Sequence, residues 1–193
     1  MRIGVLAVQG AFIEHRHLLE KLNTETFELR QHADLDREMD GLILPGGEST
    51  VMGKLLTDLD MMSPIRDAIR AGMPVFGTCA GMILLAKDIH GATDRQVNLQ
   101  TMDITVLRNA YGRQLGSFQT SAAFADMGEI PMTFIRAPYI EKADPEVSVL
   151  AQVDGNIVAA RQGNQLATSF HPELSEDTRV HEYFLNDIIK NSR

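Results

Sequence analysis

Cys79 is the only cysteine in the 193-residue chain, and it stands between glycines in the pattern Gly-Thr-Cys-Ala-Gly at residues 77–81. An apolar run at residues 73–76 precedes this pattern, and a second run begins at Met82. Flanking glycines permit the strained strand-to-helix turn of a nucleophile elbow, which lifts one side chain above a sheet. The spacing therefore predicts a nucleophilic role for Cys79, although a lone cysteine is more often a buried and unreactive hydrophobic residue.

A second motif, Ser-Phe-His-Pro-Glu at residues 169–173, follows a strand-like run much later in the chain. Because proline disfavours the helical region for the residue before it, His171 should be extended. Side chains two apart in an extended chain project to the same side, so Glu173 can orient the imidazole of His171. Taken alone, the motif could be a surface turn. Paired with the cysteine elbow, it favours a triad of Cys79, His171 and Glu173.

A glycine pair occurs in Leu-Pro-Gly-Gly-Glu-Ser-Thr at residues 44–50. Such pairs are common in ordinary turns, but a glycine amide can also approach a tetrahedral intermediate closely. We expect the amides of Gly47 and Ala80 to form an oxyanion hole, in which one donor contributes about 3–4 kcal/mol in the transition state. A phosphate-binding loop is excluded, because five residues separate Gly47 from Gly53 and Leu55 replaces the magnesium-binding Ser or Thr.

The elements that must position these residues can be predicted from short apolar runs. Strands are predicted at residues 3–8, 41–44, 74–76, 147–153, 157–160 and 166–169, and helices at residues 11–22, 51–59, 65–71 and 82–86. Strands that alternate with helices and are almost continuously apolar predict an α/β fold. Its central sheet should be mostly parallel, with helices on both faces.

The middle of the chain predicts a different arrangement, with strands at residues 101–106, 118–123 and 132–135 and no helices between them. These strands should form a small antiparallel annex. A final helix at residues 176–189, with Ser175 as its N-cap, completes a single predicted domain spanning residues 1–193. Because ligand sites form at the carboxyl ends of strands, the glycine pair, Cys79 and His171 are expected to converge at one sheet edge.

Composition narrows the class of protein. A net charge of −8 argues against duplex nucleic acid as a partner. The single cysteine excludes an internal disulfide and suits a reducing compartment, so a cytoplasmic location is expected. The first apolar run stops at Gln9, too short for a signal peptide, and no run reaches membrane length. His15 and His17 should point to different faces of a helix, so no metal site is predicted.

Six blocks, spread over nearly the whole chain, resemble the class I glutamine amidotransferases and, among these triad enzymes, the glutaminase subunits of pyridoxal 5′-phosphate synthases. They are residues 7–11, 42–50, 76–81, Arg108-Asn109 with Gly112-Arg113-Gln114, 134–138 and 169–173. The triad motif is shared by many amidotransferases. The Gln-Gly-Ala, Gly-Gly-Glu-Ser and Ile-Arg-Ala-Pro blocks are typical of the narrower group, and no motif position departs from its pattern.

The resemblance implies that L-glutamine is hydrolysed to L-glutamate and ammonia through a γ-glutamyl thioester on Cys79. His171 would accept the thiol proton and then protonate the leaving ammonia, while Glu173 orients the ring. The implied glutamine pocket consists of Gly47, Glu48, Ser49, Arg108, Ile135 and Arg136. Within it, Arg108 or Arg136 could neutralise the α-carboxylate, and Glu48 could meet the α-ammonium group.

The resemblance also implies a hetero-oligomer with the synthase subunit, which would be a separate barrel enzyme that receives the ammonia. Pyridoxal 5′-phosphate is then the product of the pathway, and no cofactor is expected in this chain. Glutaminases of this kind are commonly inactive until the partner docks. The Gly46–Gly47 peptide is a candidate switch, because it would present an amide to the oxyanion in one orientation and a carbonyl in the other.

Three alternatives remain open from the sequence. The chain could serve a different synthase, which the Gln-Gly-Ala and Ile-Arg-Ala-Pro blocks argue against. It could be a regulatory protein without activity, although Cys79, His171 and Glu173 are all present. It could also be a cysteine peptidase or γ-glutamyl hydrolase that needs no partner.

Overall fold

The computed structural model describes residues 1–92, 94–108 and 116–192, and twelve strands lie within these ranges. The strands are β1 (Arg2–Leu6), β2 (Glu25–Leu29), β3 (Gly41–Leu44), β4 (Val75–Thr78), β5 (Ala86–His90), β6 (Met102–Leu107), β7 (Ser117–Ala123), β8 (Glu129–Ile135), β9 (Tyr139–Ala143), β10 (Ser148–Val153), β11 (Asn156–Gln162) and β12 (Gln165–Thr168). Of the predicted motif blocks, Asn109 and residues 112–114 lie outside the described residues.

A central sheet has the order β2–β1–β3–β4–β12–β11–β9–β6–β5, and β10 pairs with β11 outside this path. The first five strands are parallel to one another, as are β5 and β6, whereas β9, β10 and β12 are antiparallel to β11. A separate antiparallel ribbon joins β7 to β8. The predicted α/β class with a small antiparallel annex is confirmed, and antiparallel strands also extend the main sheet.

Helices cover both faces of this sheet, as predicted. The α-helices of the described residues are α1 (Phe12–Lys21), α2 (Ser49–Asp58), α3 (Met62–Arg70), α4 (Ala80–Leu85) and α5 (Arg179–Tyr183), and α5 continues into a π-helical segment, Phe184–Ile189. On one face, a hydrophobic core includes Leu56 of α2, Ile65 of α3 and Met82 of α4. On the other, Leu19 of α1 and Phe184 pack in a second core. None of the helices in the described ranges is long and apolar enough to cross a membrane.

Three strands, β2, β5 and β9, were not predicted from the apolar runs. β2 and β5 lie at the two ends of this strand order, and their sequences, Glu-Thr-Phe-Glu-Leu and Ala-Lys-Asp-Ile-His, contain charged residues. An edge strand keeps partly exposed side chains, so a search for continuous apolar runs does not detect it. β9, Tyr-Ile-Glu-Lys-Ala, has the same mixed character, and only Ile140 is buried within it.

The predicted start of the final helix is wrong. The helix begins at Arg179, three residues after the predicted start, and Thr178 rather than Ser175 occupies the N-cap position. The Ser175 hydroxyl instead accepts a hydrogen bond from the Asp177 amide at 3.0 Å. The Asp177 carboxylate in turn accepts hydrogen bonds from the amide and Nε of Arg179, both at 3.0 Å. These side-chain contacts satisfy backbone amides within a turn and so delay the helix.

Candidate active site

Cys79 joins β4 to α4 with backbone angles of φ 49° and ψ −99°. This left-handed conformation is uncommon for a residue with a side chain, and it is typical of a strained elbow. The Cys79 amide donates to the Thr168 carbonyl at 2.7 Å, which ties the turn to β12. A Cβ atom at Gly81 would lie 2.0 Å from the Leu44 carbonyl oxygen, so only glycine permits this close approach to β3. The elbow geometry agrees with the spacing of the motif.

His171 follows β12, and its Nδ1 lies 2.7 Å from Oε1 of Glu173. The two side chains are adjacent as predicted, but for a different reason. His171 itself is not helical, with φ −106° and ψ 86°, whereas Pro172–Leu174 form a 3-10 turn rather than an extended segment. The turn folds the Glu173 carboxylate back onto the ring, and both residues are buried.

The protonation of His171 depends on its neighbours. Burial by itself would lower the pKa of His171, but hydrogen bonds to Cys79 and Glu173 outweigh burial and raise the pKa to about 10. Burial would likewise raise the pKa of Glu173, yet His15 and His171 outweigh it and keep this pKa below its ordinary value. The ionised carboxylate therefore favours the imidazolium form of His171.

A cavity of about 350 Å³ opens over the thiol, and its wall contains Cys79 and His171. All six residues of the predicted glutamine pocket line it as well: Gly47, Glu48, Ser49, Arg108, Ile135 and Arg136. The cavity wall also contains five residues that were not assigned to the pocket from the sequence: Gln9, Gly10, Ala11, Ile83 and Pro138. All of these except Ile83 lie in the blocks that carry the family resemblance. A larger cavity of about 660 Å³ lies near Arg2 and Leu42, at the amino ends of β1 and β3. That cavity contains no member of the predicted triad, so the smaller cavity is the candidate active site.

Opposite charges lie at one side of the smaller cavity. A guanidinium nitrogen of Arg108 is 3.2 Å from Oε1 of Glu48, and another donates to the Thr50 hydroxyl at 3.2 Å. The Arg108 side chain is 12% exposed, whereas that of Glu48 is 53% exposed. A carboxylate and a guanidinium side by side can bind the ammonium and carboxylate groups of an amino acid. Arg136 is exposed and has a left-handed backbone with φ 43°.

Of the glycine pair, Gly46 lies against His171 and Gly47 lies against Gln9. A Cβ atom at Gly46 would lie 2.3 Å from Cε1 of His171, and one at Gly47 would lie 2.3 Å from Oε1 of Gln9. The Gly46 carbonyl accepts a hydrogen bond from the Ala11 amide at 2.9 Å. Ala80 is the first residue of α4, and the first amides of a helix have no partner within that helix. Gly47 lines the same cavity as Cys79, and Ala80 directly follows Cys79 in the chain.

Two buried histidines behind the triad were missed from the sequence. His15 of α1 and His181 of α5 are fully buried, with a distance of 2.9 Å between Nδ1 of His15 and Nε2 of His181. From the sequence, His15 was considered only as a possible metal ligand together with His17, and His17 is exposed. His15 does share the buried face of α1 with Leu18 and Leu19, a spacing that could have identified it. Across the described ranges, no three His, Cys, Asp or Glu side chains are grouped as a metal would require.

We expect the two buried histidines to make the folded protein less stable in acid. Burial lowers the pKa of both, for His181 to about 3, so the unfolded chain binds protons that the folded chain does not. The free energy of unfolding therefore has its full value, as far as these two histidines affect it, above their unfolded pKa of about 6.5. It declines as the pH falls from there toward 3. We expect His181→Gln to reduce the slope of unfolding free energy against pH by about 1.4 kcal/mol per pH unit.

Urea unfolding of the two proteins at pH 7.5, 6 and 5 measures this slope. His17→Gln is the matched control, because it removes an exposed histidine and should leave the slope unchanged. Equal slopes for the wild-type chain and His181→Gln would show that His181 binds protons to the same extent in the folded and unfolded chains.

Comparison with known proteins gives a consistent set of similarities. The model of the SNO glutamine amidotransferase family matches residues 5–190. Pyridoxal 5′-phosphate synthase subunit PdxT of Methanocorpusculum labreanum is 63% identical over 188 residues, which cover 97% of this chain and 98% of that protein. The PdxT subunit of Desulfitobacterium hafniense strain DCB-2 is 56% identical over 188 residues, 97% of this chain and 94% of that protein.

Solved structures agree in fold. A crystal structure of a glutamine amidotransferase has a TM-score of 0.92 at 42% identity and covers 97% of this chain and 98% of its own. A crystal structure of a glutamine amidotransferase from Thermotoga maritima has a TM-score of 0.64 at 15% identity, over 99% of this chain and 85% of its own. The second likeness concerns the fold alone.

Proposed function

The chain belongs to the SNO glutamine amidotransferase family, and we propose that it hydrolyses L-glutamine at the Cys79 cavity and supplies ammonia to the synthase subunit of pyridoxal 5′-phosphate synthase. The observation that carries the proposal is the convergence in one cavity of Cys79, His171 and the paired charges of Arg108 and Glu48. We infer the partner from relatives that are 56–63% identical to this chain and are named as subunits of pyridoxal 5′-phosphate synthase.

The first half of the reaction forms a thioester. His171 accepts the thiol proton, and Sγ of Cys79 attacks the side-chain amide carbon of glutamine. The amides of Gly47 and Ala80 stabilise the negative oxygen of the tetrahedral intermediate. His171 then protonates the amide nitrogen as the carbon–nitrogen bond breaks, which releases ammonia and leaves a γ-glutamyl thioester.

The second half restores the enzyme. His171 accepts a proton from water, whose oxygen attacks the thioester carbon, and the bond to Sγ breaks as the thiolate regains a proton. One glutamine and one water thus yield one glutamate and one ammonia. Glu173 stays ionised throughout and holds Nδ1–H of His171, so Nε2 always faces the reacting atoms.

The Gly46–Gly47 peptide is the proposed switch for activation by the partner. The Ala11 amide holds the Gly46 carbonyl at 2.9 Å, and in a trans peptide the Gly47 amide points the opposite way. Rotation of this peptide exchanges which group lies toward the thiol. Docking of the synthase subunit beside α1 or the glycine pair would select the orientation with an amide toward the oxyanion. Identical geometry of this peptide with and without the partner would contradict the switch.

Arg108 should contribute chiefly to glutamine binding. We expect Arg108→Met to raise KM for glutamine by about 10- to 100-fold with a smaller change in kcat, because a charge-assisted hydrogen bond is worth about 1.5–3 kcal/mol. Lys54→Met is the matched control, since Lys54 is exposed on α2 and pairs with Asp58. Steady-state kinetics with the synthase subunit present measure both constants. An unchanged KM would remove Arg108 from the pocket.

The proposed function is tested by glutamine-dependent ammonia release from the purified chain, alone and mixed with the synthase subunit. Activity that rises strongly on mixing supports a partner-gated glutaminase. Full activity without a partner would favour an independent hydrolase, and activation by a different synthase would reassign the partner. No activity in any mixture, with an unreactive Cys79, would leave a regulatory role.

We also place this activity in the cytoplasm, without a nucleic-acid partner. The proposal is supported by the single cysteine, which suits a reducing compartment, and by the net charge of −8, which disfavours contact with phosphate backbones.

A further inference from the structure

A cluster of buried polar side chains lies behind the triad and takes no part in the steps above. It consists of His15 from α1, His181 from α5 and Thr78 at the end of β4. Nε2 of His15 is 3.2 Å from the Thr78 hydroxyl and 3.5 Å from Oε2 of Glu173. We call these three residues the rear cluster. Through His15, the cluster connects Thr78, which precedes Cys79, to Glu173.

The Glu173 carboxylate needs a second partner. Its side chain is fully buried, and Oε1 is used by His171. Oε2 makes no hydrogen bond to another residue of the described ranges, although Nε2 of His15 lies at ion-pair distance from it. A buried carboxylate is strongly destabilised unless donors or charges compensate for lost water. Nε2 of His15, 3.5 Å away, can supply a polar hydrogen to this oxygen.

The charges select one arrangement of protons in the rear cluster. A lone pair of His15 facing an ionised carboxylate would be repelled, so Nε2 of His15 carries the hydrogen. Nδ1 of His15 is then an acceptor, and Nε2–H of His181 donates to it across 2.9 Å. Both rings stay neutral because burial opposes their protonation, which lowers the pKa of each. His181 consequently fixes the tautomer that His15 must have to face Glu173.

We propose that His15, held in one tautomer by His181, is a positioning residue that fixes the Glu173 carboxylate for its contact with His171. The inference rests on the proposed glutaminase function for its kinetic consequence. Free rotation of the carboxylate would lengthen the Glu173–His171 hydrogen bond and let the imidazole leave its alignment with Cys79. Small misplacements of a catalytic group lower the turnover rate far more than substrate binding.

The test compares His15→Leu with His15→Gln, because the amide nitrogen of glutamine can reach the place of Nε2. In the complex with the synthase subunit, we expect His15→Leu to lower kcat about 10- to 100-fold. KM should stay within about twofold. His15→Gln should recover kcat to within about fivefold of wild type, whereas a purely structural role would not require an N–H donor. His17→Gln, on the exposed face of the same helix, is the control.

A second readout does not depend on glutamine. The rate at which iodoacetamide alkylates Cys79 at pH 7 reports how well His171 activates the thiol. This rate should fall about tenfold in His15→Leu and recover in His15→Gln. Absence of ammonia release from the wild-type complex would remove the proposed function but leave this readout intact. Wild-type alkylation and kcat in folded His15→Leu would overturn the positioning role.

His181 offers a test if His15→Leu does not fold. His181→Leu removes the donor to Nδ1 of His15 and should lower kcat several-fold, with partial recovery in His181→Gln, which can still donate. Equal kcat values for His181→Leu and the wild-type chain would overturn the part of the proposal that concerns the tautomer.

Discussion

Replacement of Cys79 by alanine is expected to lower glutamine-dependent ammonia release by at least about 10⁴-fold, both alone and with the synthase subunit. The substitution removes the atom that is proposed to form the thioester, so no covalent intermediate should accumulate. An ammonia-coupled assay measures the rate, and mass spectrometry of the wild-type chain detects the γ-glutamyl adduct. Because Cys79 is the only cysteine, free-thiol titration of the variant should give zero.

Alanine meets the same left-handed backbone strain as cysteine at this position, so the variant should fold with nearly wild-type stability. Ser63→Ala on α3 is a matched control for a small substitution at an exposed residue. Substantial ammonia release by the folded Cys79 variant would show that the thiol is not the nucleophile. The triad would then have to be abandoned, although the family assignment would stand.

Replacement of Glu173 by glutamine is expected to lower kcat by about 10³-fold or more. Glutamine can still accept a hydrogen bond from His171, but it carries no charge to stabilise an imidazolium. The pKa of His171, raised to about 10 in the wild-type chain by Cys79 and Glu173 against burial, should fall toward its ordinary value. Proton transfer from the thiol then becomes less favourable at neutral pH.

Steady-state kinetics of the complex and NMR titration of the His171 ring measure the two effects. Glu176→Gln is the matched control, since Glu176 lies three residues away and its carboxylate pairs with Lys21 in an almost fully exposed position. A kcat within about threefold of wild type in Glu173→Gln would mean that His171 is oriented by other contacts.

The elbow around Cys79 could be predicted from the sequence because local steric limits fix which residues it requires. The glycines around Cys79 are needed because neighbouring backbone comes within 2.0 Å of where a Cβ would lie at Gly81. Continuous apolar runs identified interior strands well, and β3 was predicted with its observed limits, Gly41–Leu44. Edge strands such as β2 were missed because partial exposure permits charged side chains there. Short-range rules therefore recovered the elbow and the interior strands of the sheet other than β9.

Contacts between distant parts of the chain were decided by the tertiary structure. His15 and His181 are 166 residues apart, and Arg108 and Glu48 are 60 apart, yet both pairs are in contact. Each contact depends on which strands become neighbours in the sheet, a choice that periodicity along the chain does not encode. The sequence by itself determined the elbow at Cys79, the adjacency of His171 and Glu173, and the α/β class. Only the packed fold brought His15 against Glu173 and His181 against His15, because burial joins side chains that no local pattern relates.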